Sequence, residues 1–186
     1  GDPDTLNWAH DKLDRPVVDH WWQTELGWPA AANFKGLGLL PIEYGSAGAP
    51  VPGFDIVVLD EAHQEVDRGE GGDIAIRLPL APGSFPTLWQ NEEGFRKSYL
   101  EAHPGFYNTG DYGHINEDGY LYVMSRTDDI INVAGHRLST GGIEEAVAEV
   151  DAVAECAVIG VADELKGTVP VAFVIPFANY DGGDEA

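Results

Sequence analysis

Cysteine is nearly absent from this 186-residue sequence: Cys156 stands alone. A single thiol forms no internal disulfide, which fits a reducing compartment. Basic residues are scarce as well, with 10 Lys and Arg against 32 Asp and Glu. Only four are lysines: Lys12, Lys35, Lys97 and Lys166. The resulting formal net charge of −22 repels phosphate backbones, so no nucleic-acid partner is expected. No apolar run approaches the roughly 18 residues of a membrane-spanning helix, and no membrane partner is expected either. No basic-then-apolar leader opens the sequence. Together these features point to a cytoplasmic location.

The sequence is rich in two things, apolar bulk and acid. A hydrophobic share of 44% excludes disorder despite the charge. The length suffices for one large or two small domains with a buried core. The acidity has two readings: an aggregation-resistant surface, or adaptation to high salt, where screening relieves self-repulsion.

Along the chain, Thr5 to Leu13 reads as a helix closed by Pro16, and Val17-Val18 as a short strand. Asp19-His20-Trp21-Trp22-Gln23-Thr24-Glu25 has neither helical nor strand periodicity and reads as a site-building turn. Gly- and Pro-rich residues 27–53 read as a loop. Phe54–Leu59 and Gly72–Leu78 are β-branched runs that should pair antiparallel. Asn91–Leu100 reads as a helix, and Phe106–Asp111 as a strand ending in a turn. Asn116-Glu117-Asp118-Gly119 is a hairpin signal between two further strands. Beyond Arg126–Asp129 come a strand at Ile130–Val133 and a turn at Gly135-His136-Arg137. A helix capped by Thr140 follows, then strands at Val153–Val161 and Val169–Pro176.

Three segments are richer in polar residues than folding requires. In the first, Trp21 and Trp22 are able to wall a small pocket, while Thr24 and Glu25 offer oxygens to a phosphate and a divalent cation. Core packing of the two tryptophans is the alternative. In the second, Asp111 and Arg126 lie fifteen residues apart at the two ends of a hairpin. They suit either a ribose diol or a structural salt bridge. In the third, Asn132 to Arg137, a glycine turn ends in a fixed cation suited to an anion, or is a plain surface loop. The histidines show no metal-ligand spacing, and no G-x-S-x-G nucleophile elbow is present.

Taken together, the segments resemble the AMP-forming acyl-CoA synthetases of the adenylate-forming superfamily, in particular the short-chain acetate/propionate–CoA ligase branch. Asp19–Glu25 is similar to that branch's adenine and acyl motif, with His20 and Gly27-Trp28-Pro29 on the propionate side. Tyr107–Asp111 resembles its Y-x-T/S-G-D motif. Asp118-Gly119-Tyr120 and Arg126–Asp129 resemble the approach to its hinge, and Ile131–Thr140 the segment just after it. Ala154–Gly160 and Lys166-Gly167 continue the likeness, which runs from about residue 2 to 176.

The resemblance implies a mixed α+β fold: the β-rich end of a large domain over 1–127, then part of a small α+β domain over 128–178. It puts a hinge at Asp128. The Asp- and Gly-rich residues 179–186 read by composition as a frayed tail. It also implies that a carboxylate attacks the α-phosphate of ATP, releasing pyrophosphate, and that coenzyme A thiol then displaces AMP. Asp19, His20, Trp21, Trp22, Gln23 and Thr24 would line the adenine, acyl and phosphate region, with Glu25 holding Mg²⁺. Asp111 and Arg126 would bind ribose. Arg137 would stand by the α-phosphate, and Ala134 at the coenzyme A contact. Arg137, Thr24 and the Asp128 hinge carry the catalytic roles.

There are departures. Leu26 stands where the family usually has Thr, and Ala134 where many relatives have Ser. No phosphate loop precedes Asp19, and no lysine follows Lys166. The chain thus reads as an interior piece, inactive without the remainder of its own chain. Two other readings stay open: a ligase for a different carboxylic acid, or a non-catalytic adenylate-binding module.

Overall fold

The computed structural model describes residues 3–133, 136–163 and 167–178. The tail expected at 179–186 lies outside the described residues. The fold is mixed α+β with several sheets, as expected, and forms two compact units, Gly1–Val123 and Met124–Ala186. Among the described residues no helix is long and apolar enough to cross a membrane.

The first unit opens with helix α1 (Pro3–Leu13). Strand β1 (His20–Trp22) pairs antiparallel with β2 (Pro29–Ala32), which pairs with β3 (Ala49–Pro50). Two expectations are corrected here. Val17-Val18 is not a strand: pairing starts at His20, opposite Ala32, beyond the donor-less Pro16. The stretch 27–53 is not all loop, because its small residues let β2 and β3 pack tightly; Ala30, Ala31 and Ala32 are buried.

The larger sheet of this unit has the order β4-β5-β6-β7. Its strands are β4 (Ile56–Leu59), β5 (Gly72–Arg77), β6 (Phe106–Ile115) and β7 (Leu121–Arg126). The division between the units falls within β7. β4 is buried throughout, so it reads as one apolar run without alternation. Helix α2 (Glu92–Tyr99) precedes β6, and its Asn91 cap accepts from the Gly94 N–H at 3.0 Å. The core joins both sheets through Trp21, Leu26, Ile74, Ile76, Tyr107 and Leu121.

The second unit has the strand order β10-β11-β8-β9. Its elements are β8 (Ile130–Val133), β9 (His136–Ser139), α3 (Thr140–Ala148), β10 (Val153–Asp163) and β11 (Gly167–Pro176). His136 and Arg137 belong to β9, opposite Val133 and Asn132, rather than to the expected turn. The helix cap is Ser139, one residue before Thr140; its Oγ accepts from the Gly142 N–H at 3.2 Å. Glu144 ties α3 to β10: its carboxylate accepts from the Val158 N–H at 2.7 Å, and its carbonyl from Cys156 Sγ at 3.2 Å.

Candidate adenylate and carboxylate site

The site in the first unit begins with a backbone irregularity. Along β5 and β6, Ile74 lies opposite Asp111 and the next residue, Ala75, opposite Asn108. Thr109 and Gly110 are therefore extra residues, a bulge within one continuous strand and not the strand-ending turn expected. Gly110 supplies the bulge's φ of +69°, a left-handed conformation that glycine takes without a Cβ clash. Thr109 holds the kink, its Oγ1 donating to the Ile74 carbonyl at 2.5 Å and accepting from the Asp111 N–H at 3.1 Å.

The bulge turns Asp111 toward β1. Its carboxylate, 7% exposed, accepts from the Trp21 indole Nε1–H at 3.0 Å and from Gln23 Nε2 at 2.9 Å. Gln23 Nε2 also donates to the Thr109 carbonyl at 2.8 Å, and its Oε1 accepts from the Tyr107 hydroxyl at 3.0 Å. A buried carboxylate needs such donors, because desolvation without them is costly. Two segments far apart in sequence are thus locked into one polar network.

Strand geometry separates the two tryptophans. Side chains alternate across a strand, so Trp21 enters the core while Trp22, like His20, remains exposed. The segment read as an aperiodic turn is this short strand followed by one 3₁₀ turn over Thr24–Leu26. The alternation spans too few residues to stand out in the sequence. In the 3₁₀ turn Thr24 is exposed, Glu25 half-buried and Leu26 buried. Gly27 ends it at φ +67°, where a Cβ would come within 2.6 Å of the Gly83 carbonyl oxygen.

Glu25 is fixed twice: its carbonyl accepts from the Phe85 N–H at 2.7 Å, and its Oε1 from the Tyr99 hydroxyl at 3.0 Å. Among the described residues no other group bonds its carboxylate, and no cluster of three or more His, Cys, Asp or Glu is placed to hold a metal. One carboxylate beside a hydroxyl fits a divalent cation held mainly by nucleotide phosphates and water. Asp19 is half-buried at the start of β1, its Oδ1 accepting from the His20 N–H at 2.8 Å.

The remaining candidates lie in the second unit. Arg126 ends β7 and is exposed; Asp128 is exposed in a 3₁₀ turn, Thr127–Asp129. Arg137 sits in β9, its side chain outside those described, and Ala134 lies outside the described residues. Sequence reasoning missed Tyr99. The signal available for it was modest: Phe95 and Tyr99 form an i, i+4 aromatic pair on a capped helix.

Comparison with known proteins gives this geometry its setting. The AMP-binding enzyme family matches residues 2–85, and the AMP-binding enzyme C-terminal domain matches residues 142–185. Both matches are to the AMP-binding enzymes, and together they span most of the chain. It is 47% identical over 185 residues to mouse acyl-CoA synthetase short-chain family member 3, mitochondrial, covering 99% of this chain and 27% of that protein. It is 46% identical over 178 residues to the propionate–CoA ligase of Escherichia coli, covering 94% of this chain and 28% of that protein. Its fold matches the ATP-bound crystal structure of MatB from Rhodopseudomonas palustris with a TM-score of 0.82 at 26% identity, over 98% of this chain and 35% of that one. The chain spans little more than a quarter of the length of the curated relatives it matches.

Proposed function

We propose that this chain is the segment of an acid–thiol ligase that holds adenylate and the acyl group, and that the whole ligase activates propionate or acetate. One observation carries the reading. The network centred on Asp111 joins the two polar segments that most resemble the ligase motifs, in a chain 46% identical to a propionate–CoA ligase. In the first half-reaction a carboxylate oxygen attacks the α-phosphate of ATP and pyrophosphate leaves. In the second the coenzyme A thiol gives up its proton and attacks the acyl carbon, and AMP leaves.

The roles follow from chemistry. Asp111 is the carboxylate for a ribose hydroxyl, fixed in advance by Trp21 and Gln23. Asp19, His20 and Trp22 line the adenine and acyl region, and the Thr24 hydroxyl serves a phosphate oxygen. Glu25 is a carboxylate for Mg²⁺, which when bound would neutralise phosphate charge. Arg126 and Arg137 serve as cations for the ribose and the α-phosphate, and Asp128 as the hinge between half-reactions. Ala134 at the coenzyme A position lacks the hydroxyl of Ser. Such chemistry depends on positioning and charge neutralisation more than on a nucleophilic side chain. The charge pattern and the single cysteine favour a cytoplasmic ligase acting on small molecules.

Pyrophosphate release tests the reading. The full-length protein carrying this segment should release pyrophosphate on addition of propionate or acetate with ATP. Asp111→Ala should lower the rate at least a hundredfold. The 186-residue chain alone should stay at background. A full-length protein that releases none with any short-chain acid would refute the proposal.

A further inference from the structure

Helix α2 carries no residue assigned to the reaction, yet it delivers the group that holds Glu25. The Tyr99 hydroxyl at its end donates to Glu25 Oε1 at 3.0 Å. The Tyr99 ring lies parallel to that of Tyr107, with centroids 5.6 Å apart and planes 4° from coplanar. Phe85 stands edge-on to both, at 5.0 and 6.2 Å, and edge-on to Phe95 at 5.1 Å. The same Phe85 fixes the Glu25 main chain through its N–H. Tyr107, the other half of the stack, donates to Gln23. Two stacked phenols therefore hold two side chains of one short segment, two residues apart.

The 3₁₀ turn that bears Glu25 has only Leu26 in the core, and a glutamate there would otherwise sample several rotamers. A phenol in an aromatic stack is a rigid donor with few rotatable bonds. Its O–H engages Oε1 and leaves the second carboxylate oxygen for a further partner.

We infer that Tyr99 is a positioning residue, whose hydroxyl presets the Glu25 carboxylate for the divalent cation that accompanies nucleotide phosphates. The inference rests on the proposed reading of Glu25 as the metal carboxylate. Partners that orient a metal ligand commonly change metal affinity about tenfold or more when removed.

The test is Mn²⁺ binding to the full-length protein in the presence of a non-hydrolysable ATP analogue, followed by the electron paramagnetic resonance of free Mn²⁺. Tyr99→Phe keeps the ring and removes only the donor. It should weaken Mn²⁺ binding about tenfold, with the apparent half-saturation by Mg²⁺ rising to match. The kcat at saturating Mg²⁺ and the KM for propionate should stay within about twofold of the parent. Glu25→Gln should weaken Mn²⁺ binding at least as much, and adding Tyr99→Phe to it should cause no further loss. If Glu25→Gln weakens binding and Tyr99→Phe does not, Tyr99 has no positioning role and the Glu25 reading stands. If Glu25→Gln leaves binding unchanged, that reading fails and the inference falls with it. Fully additive losses in the double variant would also overturn the inference.

Discussion

Each unit contains a four-stranded sheet, but the two sheets satisfy their side chains differently. In the first unit β4 is buried along its length, and β5 contributes Ile74, Ala75 and Ile76 with no exposed surface. In the second unit only Ile131 and Val158 are buried among the described hydrophobic residues. One face of its long hairpin meets α3 at Cys156 and Val158, although Val174, opposite Cys156 on that face, stays exposed. The opposite face, with Ile159, Val161, Val171, Phe173 and Ile175, is exposed. The first unit is thus held by a closed core, the second by backbone pairing and the contact of Cys156 and Val158 with α3. A polar network at hydrogen-bonding distances needs the rigid kind of scaffold, and the Asp111 network lies in the first unit.

Hydrogen exchange of the 186-residue chain offers the sharpest attack on this contrast. Amides of β5 and β6 should exchange only through global unfolding of the first unit, whereas amides of β10 and β11 should open far more readily. The expected gap is about 4 kcal/mol, or roughly a thousandfold in exchange rate. Equal protection in the two sheets would break the comparison.

The next effect in size is the removal of the buried carboxylate. Asp111→Ala leaves the Trp21 N–H and the Gln23 amide with a lost partner in a buried site. An orphaned buried donor costs about 1–3 kcal/mol, so a total of roughly 3 kcal/mol is expected. All five tryptophans fall at or before Trp89, so tryptophan fluorescence in a urea titration reports the first unit alone. Its midpoint should fall, while exchange in β10 and β11 stays as it was. A midpoint within experimental error of the parent would mean that the network contributes little to holding the unit together.

What the sequence revealed of this architecture was mostly local. The Asn91-capped helix and the hairpin at Asn116–Gly119 were legible, because caps and turns are written in neighbouring residues. The partners of the polar segments were another matter. Trp21 and Asp111 are 90 residues apart and Glu25 and Tyr99 are 74 apart, and no local pattern encodes such pairs. Thr109-Gly110 reads equally well as a turn or a bulge, and only the pairing with Ile74 and Ala75 decides between them. Family resemblance pointed to Tyr107–Asp111 and to Trp21–Glu25, but not to Tyr99 and Phe85, which complete the aromatic stack behind them.

The smallest expected effect separates the units by pH. In the first unit His103 is 5% exposed, its Nδ1 sharing one hydrogen bond of 2.9 Å with His63 Nδ1 and its Nε2 lying 3.4 Å from Asp73 Oδ2. Burial holds the His103 pKa below its ordinary value of 6.5; the neighbouring His63 adds to this and Asp73 opposes it. His114, stacked on Tyr122 at 4.9 Å, is lowered by burial in the same direction. When folding depresses a histidine pKa, the unfolded chain binds more protons between the two values, and stability rises with pH there. The stabilisation is therefore complete above pH 6.5 and is lost as pH falls toward the folded values. Geometry acts with the same sign, because the Nδ1–Nδ1 hydrogen bond needs one unprotonated nitrogen and is broken once both rings carry two protons. The fluorescence-detected urea midpoint should drop between about pH 7.5 and 5.5, and His103→Gln should flatten that slope. A first unit that grows more stable on acidification, or a His103→Gln variant with the parent's slope, would show that the buried histidine is not what makes this unit sensitive to acid.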